Sequence, residues 1–231
     1  MRGFSRWFAS DDGPVLPAGE AYALWADTYP PWPHNPLMEA EQSVVGPMLA
    51  AAQPRRALDV GTGTGRNLAL LQSAGARLAI GVDLSIAMLA HALPAARTAC
   101  ADACRLPFAD GVFDVVCSSL MVGDVDCLEA WVAEAARVLA PGGHLVYSDF
   151  HPSWSTHGWR RTFTTADGRT FRLPFHPRTI EEHLEKLEIA GLEVLHIREP
   201  RVEGRPSPVI AAFHASKRGP FIVERQRRWP R

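Results

Sequence analysis

Residues 57–66, Ala-Leu-Asp-Val-Gly-Thr-Gly-Thr-Gly-Arg, constrain the fold more than any other stretch of the chain. The apolar run Ala57-Leu58-Asp59-Val60 reads as a buried strand. Gly61, Gly63 and Gly65 follow at alternate positions, and Asn67 to Leu71 opens a helical pattern. A strand that enters a glycine turn and leaves as a helix is the geometry of a nucleotide site. Glycines there let the backbone approach a ligand where a Cβ would clash.

The flanking pattern repeats this unit. Leu37 to Ala52 reads as a helix, with Val44, Val45, Met48 and Leu49 at helical spacing, stopped by Pro54. After the first strand and its helix, Asn67 to Ala74, a second strand spans Leu78 to Val82 and ends at Asp83. Ser85 is placed to cap a helix over Ile86 to Ala92. A short third strand near Thr98 to Ala101 ends at Asp102. The fourth, Val112 to Ser118, is apolar throughout, as a strand buried on both faces should be. Asp124 or Asp126 is expected to cap the next helix, which Pro141-Gly142-Gly143 breaks before a fifth strand, His144 to Phe150. Alternation of strand and helix implies parallel strands joined by right-handed crossovers. Beyond residue 150 the pattern changes. Ala166-Asp167-Gly168 between two β-rich runs signals a hairpin. Thr179 and Glu182 make a capping box for a helix over Ile180 to Ala190. Strands at Val194 to Ile197 and Val209 to His214 complete the set. The expected fold is α/β: a Rossmann-like, seven-stranded, mostly parallel sheet with helices on both faces. To it are added an N-terminal helical arm and a β-hairpin inserted after strand five.

The arm, residues 1–36, is rich in aromatics and prolines and contains a short helix over Ala18 to Thr28. It is expected either to cap a pocket as a lid or to rest on the domain surface. The domain proper spans 37–216, with the insertion at 151–177 on the substrate side, and residues 217–231 form a basic tail. The formal net charge is −1, which gives no global field toward nucleic acid or an anionic membrane. No apolar run approaches the roughly 18 residues of a membrane span, and residues 1–12 lack the long apolar segment of a secretory signal. Four cysteines (Cys100, Cys104, Cys117, Cys127) are then expected to be reduced thiols in a cytoplasmic protein. Cys100 and Cys104 have no second close pair, so no metal site is expected.

In an open parallel sheet ligands sit at the carboxyl ends of the strands. Asp59, Asp83, Asp102, Ser118 and Asp149 all fall at or near such ends. The glycine spacing fails the dinucleotide fingerprint, because the third glycine comes one residue early and Arg66 stands where Gly or Ala is wanted. A carboxylate two residues before Gly61 also suits a cationic ligand better than a phosphate. Asp83, about 20 residues on, can accept from ribose hydroxyls, and Asp102 can hold an exocyclic amine. An ammonium-bearing nucleoside without phosphates matches these three acids.

These motifs resemble those of the class I S-adenosylmethionine-dependent methyltransferases. Leu58-Asp59-Val60-Gly61-Thr62-Gly63-Thr64-Gly65 is similar to their glycine motif. Gly81-Val82-Asp83-Leu84-Ser85 with Met88-Leu89 is similar to the acidic second motif, and Asp102-Ala103 with Leu106-Pro107-Phe108 to the adenine motif. Phe113-Asp114-Val115-Val116 and Arg137-Val138-Leu139 with Pro141-Gly142-Gly143 resemble the two motifs that follow. The nearest group is the small-molecule set around the ubiquinone/menaquinone and malonyl-carrier-protein methyltransferases, and the likeness covers about residues 50–150. It implies an S-adenosyl-L-methionine cofactor. Gly61, Thr62, Gly63 and Gly65 would line its methionine part, with Asp59 near the ammonium. Asp83 would hold the ribose, Leu84 and Met88 would flank the adenine, and Asp102 and Ala103 would meet its amine. Ser118 and Ser119 would sit beside the sulfonium, and Tyr29 would come from the lid.

The implied reaction is methyl transfer to a small-molecule acceptor through O, N or S. The loop Leu120-Met121-Val122-Gly123-Asp124 lacks the histidine of many relatives. No Asn/Asp-Pro-Pro-Tyr/Phe motif stands at Ser118 to Met121, which argues against amine methylation in nucleic acid. His151, just beyond strand five, is the first candidate base, ahead of His34, His157 and His176. Asp149 either orients a histidine or faces a helix N-terminus, and Tyr22 and Trp25 are packing or ligand contacts. Two alternatives use the same cofactor site. One is intramolecular alkyl transfer releasing methylthioadenosine, and the other is a non-catalytic cofactor-binding subunit.

Overall fold

The computed structural model describes residues 13–174 and 176–219. Five strands run parallel: β1 (Arg56–Val60), β2 (Leu78–Asp83), β3 (Arg97–Cys100), β4 (Phe113–Ser119) and β5 (Leu139–Phe150). A separate antiparallel hairpin is made of β6 (Arg161–Thr164) and β7 (Thr170–Leu173). The chain returns through β8 (Leu192–Arg198) and β9 (Ile210–Lys217). β9 lies antiparallel between β5 and β8, giving a seven-stranded sheet in the order β3-β2-β1-β4-β5-β9-β8. The helices are α1 (Ala18–Trp25), α2 (Pro36–Ala51), α3 (Arg66–Ser73), α4 (Ile86–Ala90), α5 (Leu128–Val138), α6 (Ser153–His157) and α7 (Ile180–Ile189).

Side-chain alternation divides the core between the two faces. Leu58 and Val60 face Trp131, Val132 and Ala135 of α5 and Leu187 of α7. Ala57 faces the other way, toward Val45, Met48 and Leu49 of α2 and Leu68 and Leu71 of α3. Helix starts follow the local chemistry. The Asn35 side chain accepts from the Met38 amide at 2.9 Å, and Pro36 begins α2. The capping box at Thr179 and Glu182 forms as expected.

The arm lies over the hairpin. Trp25 stacks on Phe163 at 5.1 Å, and Ala21, Trp25, Phe163, Phe171 and Leu173 form one apolar cluster. The backbone before α1 pairs with β7, Leu16 donating to Arg172 and Arg172 to Pro14, both at 3.0 Å. A 3-10 turn, Ala26–Thr28, continues α1 and brings Asp27 within 3.1 Å of His91 beyond α4.

Three expectations are corrected, and one helix is present that was not expected. Neither Asp124 nor Asp126 caps α5; Cys127 occupies that position without a side-chain bond. Asp124 ends a 3-10 turn, Val122–Asp124, and turns to Arg161, while Asp126 pairs with His176 at 3.0 Å. β5 begins at Leu139, not His144, because Pro141-Gly142-Gly143 forms an irregularity within the strand rather than a loop before it. A Cβ on Gly143 would stand 2.9 Å from the Ala140 carbonyl oxygen, so the path admits only glycine. α6 carries no strong sequence signal and arises by burying Trp154. β9 runs through Lys217, one residue into the expected tail, and Lys217 donates to the Leu139 carbonyl at 2.7 Å. Most of the tail lies outside the described residues, as do residues 1–12. Among the described residues no helix is long and apolar enough to cross a membrane.

Candidate active site

The loop after β1 is tied down before it meets any ligand. The amides of Gly61 and Thr62 donate to the Val82 carbonyl of β2 at 2.8 and 2.9 Å. Gly61 and Gly63 have φ of +71° and +54°, a region costly for side-chain-bearing residues. A Cβ on Gly63 would meet nothing within 4 Å, so that position opens directly onto a cavity. A Cβ on Gly61 would lie 2.4 Å from Cγ of Met121, which covers the loop.

The cavity has a volume of about 460 Å³. It begins where β1, β2 and β3 end and runs beneath the arm to the hairpin. Its first part is walled by Gly61, Thr62, Gly63, Asn67, Asp83, Leu84, Met88, Asp102, Ala103 and Ser119. Asp83 braces it, accepting from the Gly63 and Ser85 amides, each at 2.8 Å. Burial pushes the Asp83 carboxyl upward against those two bonds, and the Asp124 carboxylate adds to the rise. The Asp102 side chain accepts from the Cys104 amide at 2.8 Å. The hydroxyls of Ser118 and Ser119 are buried without a hydrogen-bond partner among the described residues. A polar atom left in that state awaits a partner.

The second part lies between the arm, the turn after β4 and the hairpin. Tyr22, Trp25, Tyr29, Leu37, Met38, Leu120, Phe150 and Leu173 line it, with Asp124, Arg161 and Thr162. Arg161 pairs with Asp124, and its Nη2 donates to the Tyr22 hydroxyl at 2.7 Å, which in turn donates to Asp124 at 2.8 Å. The guanidinium also lies 4.7 Å over the Phe150 ring. Burial alone would lower Arg161, but Asp124 and Tyr22 together outweigh it and hold the guanidinium charged. Burial raises the phenols of Tyr22 and Tyr29, which stay protonated. Between the two parts stands Arg66, paired with the buried Glu41 at 2.8 Å; Glu41 also accepts from Ser148 Oγ at 2.9 Å.

Not every expected site residue reaches this cavity. Asp59 is buried behind the loop and accepts from Thr62 Oγ1 at 2.7 Å, Asn67 Nδ2 at 3.1 Å and Cys117 Sγ at 3.3 Å. Burial outweighs those donors and pushes its carboxyl up to about 6. It shapes the wall through Thr62 and Asn67 instead of forming it. Gly65 begins α3 in a left-handed conformation, and Ser118 is sealed beneath the wall; neither lines it. His151 is not brought to the cavity either. Its Nδ1 accepts from the Ser153 amide at 3.1 Å and its Nε2 meets Glu199 at 2.8 Å. Asp149 does meet a histidine, but it is the buried His183, at 3.4 Å. His34, His157 and His176 are held by Trp32, Ser207 and Asp126. Among the described residues no histidine lines the cavity.

Sequence reasoning missed Asp124, Arg161, Glu41, Arg66 and Asn67. Only Arg66 carried a local signal, as the residue that breaks the dinucleotide fingerprint.

The family described as "Methyltransferase domain" matches residues 58–147. That stretch, β1 through most of β5, is where the chain is similar to the methyltransferases. Among curated relatives of the chain, the demethylmenaquinone methyltransferase of Beutenbergia cavernae is 38% identical over 111 residues, covering 46% of each chain. The malonyl-[acyl-carrier protein] O-methyltransferase of Dechloromonas aromatica is 35% identical over 150 residues, 63% of this chain and 55% of that one. The chain thus spans about half the length of these relatives. A solved S-adenosylmethionine-dependent methyltransferase from Mesorhizobium loti superposes with a TM-score of 0.63 at 25% identity, covering 77% of this chain and 97% of that one. The matched residues contain the whole first part of the cavity wall. The second part draws on residues outside the match, such as Tyr22, Phe150 and Arg161.

Proposed function

We propose that this chain transfers a methyl group from S-adenosylmethionine to a small-molecule acceptor through an oxygen, nitrogen or sulfur nucleophile. The observation that carries the reading is one continuous cavity with two unlike ends. One end offers an open glycine turn, two strand-end carboxylates and an unpartnered serine hydroxyl; the other is walled by aromatics. The first end fits a cationic nucleoside. Gly61, Gly63 and Asn67 would hold the methionine part, and Asp83 the ribose. Leu84 and Met88 would flank the adenine, with Asp102 and Ala103 at its amine and Ser119 near the reacting end.

The cofactor supplies a methyl group already activated on a sulfonium. What remains for the chain is alignment and exclusion of water. Trp25, Tyr29 and Phe150 close the far end, and the arm that carries two of them acts as the lid. Among the described residues no histidine lines the wall, and the carboxylate that faces the second part and can take an acceptor's proton is Asp124. Relatives named for acceptors as unlike as demethylmenaquinone and malonyl-carrier protein do not select the acceptor. The net charge of −1 supports a small molecule over nucleic acid, and four unpaired cysteines support a cytoplasmic location.

The test is calorimetric titration with S-adenosylmethionine, followed by mass analysis of turnover against a panel of phenols, amines and thiols. S-adenosylhomocysteine formed in step with a methylated acceptor is the expected result. Methylthioadenosine in its place, or binding without consumption of cofactor by any nucleophile, overturns the reading.

A further inference from the structure

We propose that the second part of the cavity selects an uncharged, largely apolar acceptor whose reacting group is a hydroxyl or an amine, and that Asp124 takes the proton this group loses as its oxygen or nitrogen bonds to the methyl carbon and the carbon–sulfur bond of the cofactor breaks. The proposal rests on the methyl-transfer reading and sharpens its substrate class. Three elements distant in sequence converge to make the site: Tyr22 from α1, Asp124 from the turn after β4, and Arg161 from the start of the hairpin.

Hydrogen-bond capacity decides what this cluster accepts. A carboxylate offers about four acceptor positions. On Asp124 three are filled, by Nη1 and Nη2 of Arg161 and by the Tyr22 hydroxyl. Asp124 itself lies on the cavity wall, so one position remains for a donor arriving there. Arg161 has no such reserve at its fork. Nη1 donates to Asp124 and to the Pro174 carbonyl, and Nη2 to Asp124 and Tyr22, which uses the hydrogens of both terminal nitrogens. Its face is taken by Phe150. The other arginine on the wall, Arg66, is neutralised by Glu41.

An acceptor bearing a carboxylate or phosphate would therefore enter an enclosed space whose cations are already paired. Asp83 and Asp102, in the first part of the same cavity, add negative charge that disfavours it further. Burying a charge without a partner is costly. A plain hydrocarbon avoids that cost but leaves the last position on Asp124 unmet. An uncharged ring with one hydroxyl satisfies both the aromatic wall and the carboxylate.

The experiment uses the full chain saturated with S-adenosylhomocysteine and titrates three probes of similar shape, 2-naphthol, 2-naphthoate and naphthalene, by calorimetry at pH 7. The expected result is 2-naphthol binding at least about tenfold more tightly than either of the others. In Asp124→Asn, Arg161 loses its counter-charge, so 2-naphthoate should gain affinity and overtake 2-naphthol. Tyr22→Phe keeps the ion pair and should still exclude 2-naphthoate, which separates the effect of charge from loss of folding. Binding of 2-naphthoate as tight as that of 2-naphthol in the unmodified chain overturns the proposal. So does equal binding of 2-naphthol and naphthalene, or no binding of 2-naphthol once S-adenosylhomocysteine is bound. Failure of S-adenosylhomocysteine itself to bind overturns the cofactor reading on which the proposal stands.

Discussion

A single carboxylate, Asp59, shows how burial redirects a residue's task. It is sealed behind the glycine loop with three donors around it, and its carboxyl is raised to about 6 from an ordinary 3.8. The folded chain therefore holds this proton more tightly than the unfolded chain does. The resulting stabilisation is complete below about pH 4 and is lost as the pH rises through about 6, a change on the order of 3 kcal/mol. Asp59→Asn removes the titration. Its unfolding free energy in urea, relative to the unmodified chain, should rise by that order between pH 4 and pH 7; a difference that does not change with pH refutes the assignment. Glu41 and Arg66 make the opposite case, two buried charges that depend on one another. Glu41→Gln leaves the guanidinium buried with a neutral partner and should cost about 3–5 kcal/mol in the same measurement. Replacing both residues by leucine and methionine should recover much of the loss.

Elements set the site by where they end. β1, β2 and β3 finish side by side, so that the loop after β1 and Asp83 at the end of β2 brace each other through the Gly63 amide. The loop tolerates little. Gly61→Ala combines a φ of +71° with a Cβ 2.4 Å from Met121. Either Met121 or the loop must then shift, and S-adenosylhomocysteine affinity should fall by at least about tenfold by calorimetry. α7 is remote from the cavity wall and offers the contrast. Thr179→Ala deletes the side-chain half of its capping box and should cost about 1 kcal/mol of stability, with cofactor affinity unchanged. A parallel loss of affinity would show that α7 supports the site. The short α6 and the 3-10 turn at Val122–Asp124 were not legible beforehand. Each lacks a periodic apolar pattern, and each is held by contacts with residues far along the chain.

At the scale of the whole molecule, the arm and the hairpin together roof the open end of the sheet. Trp25 rests on Phe163, and the chain before α1 pairs with β7, so the roof is one unit rather than two separate flaps. Removing residues 1–33 takes away Tyr22, Trp25 and Tyr29 but none of the strand-end groups. Turnover should vanish while much of the cofactor affinity survives calorimetry. Unchanged turnover would show that the arm is no lid.

The sequence by itself determined the frame and the cofactor end. Alternating strands and helices dictate a parallel sheet, and such a sheet places its ligand groups at strand ends. Glycine spacing and the acids at 83 and 102 are local signals that need no knowledge of distant contacts. His151 and Asp59 show the limit of that reasoning. Chain position put both near the site, but side-chain direction and competing partners turned His151 to Glu199 and sealed Asp59 behind the loop. The aromatic end of the cavity, which we propose takes the acceptor, was decided only by tertiary structure. Tyr22, Asp124 and Arg161 are as much as 139 residues apart, and no periodicity links them. They meet because apolar burial folds the arm onto the hairpin, and a buried arginine must then find a carboxylate.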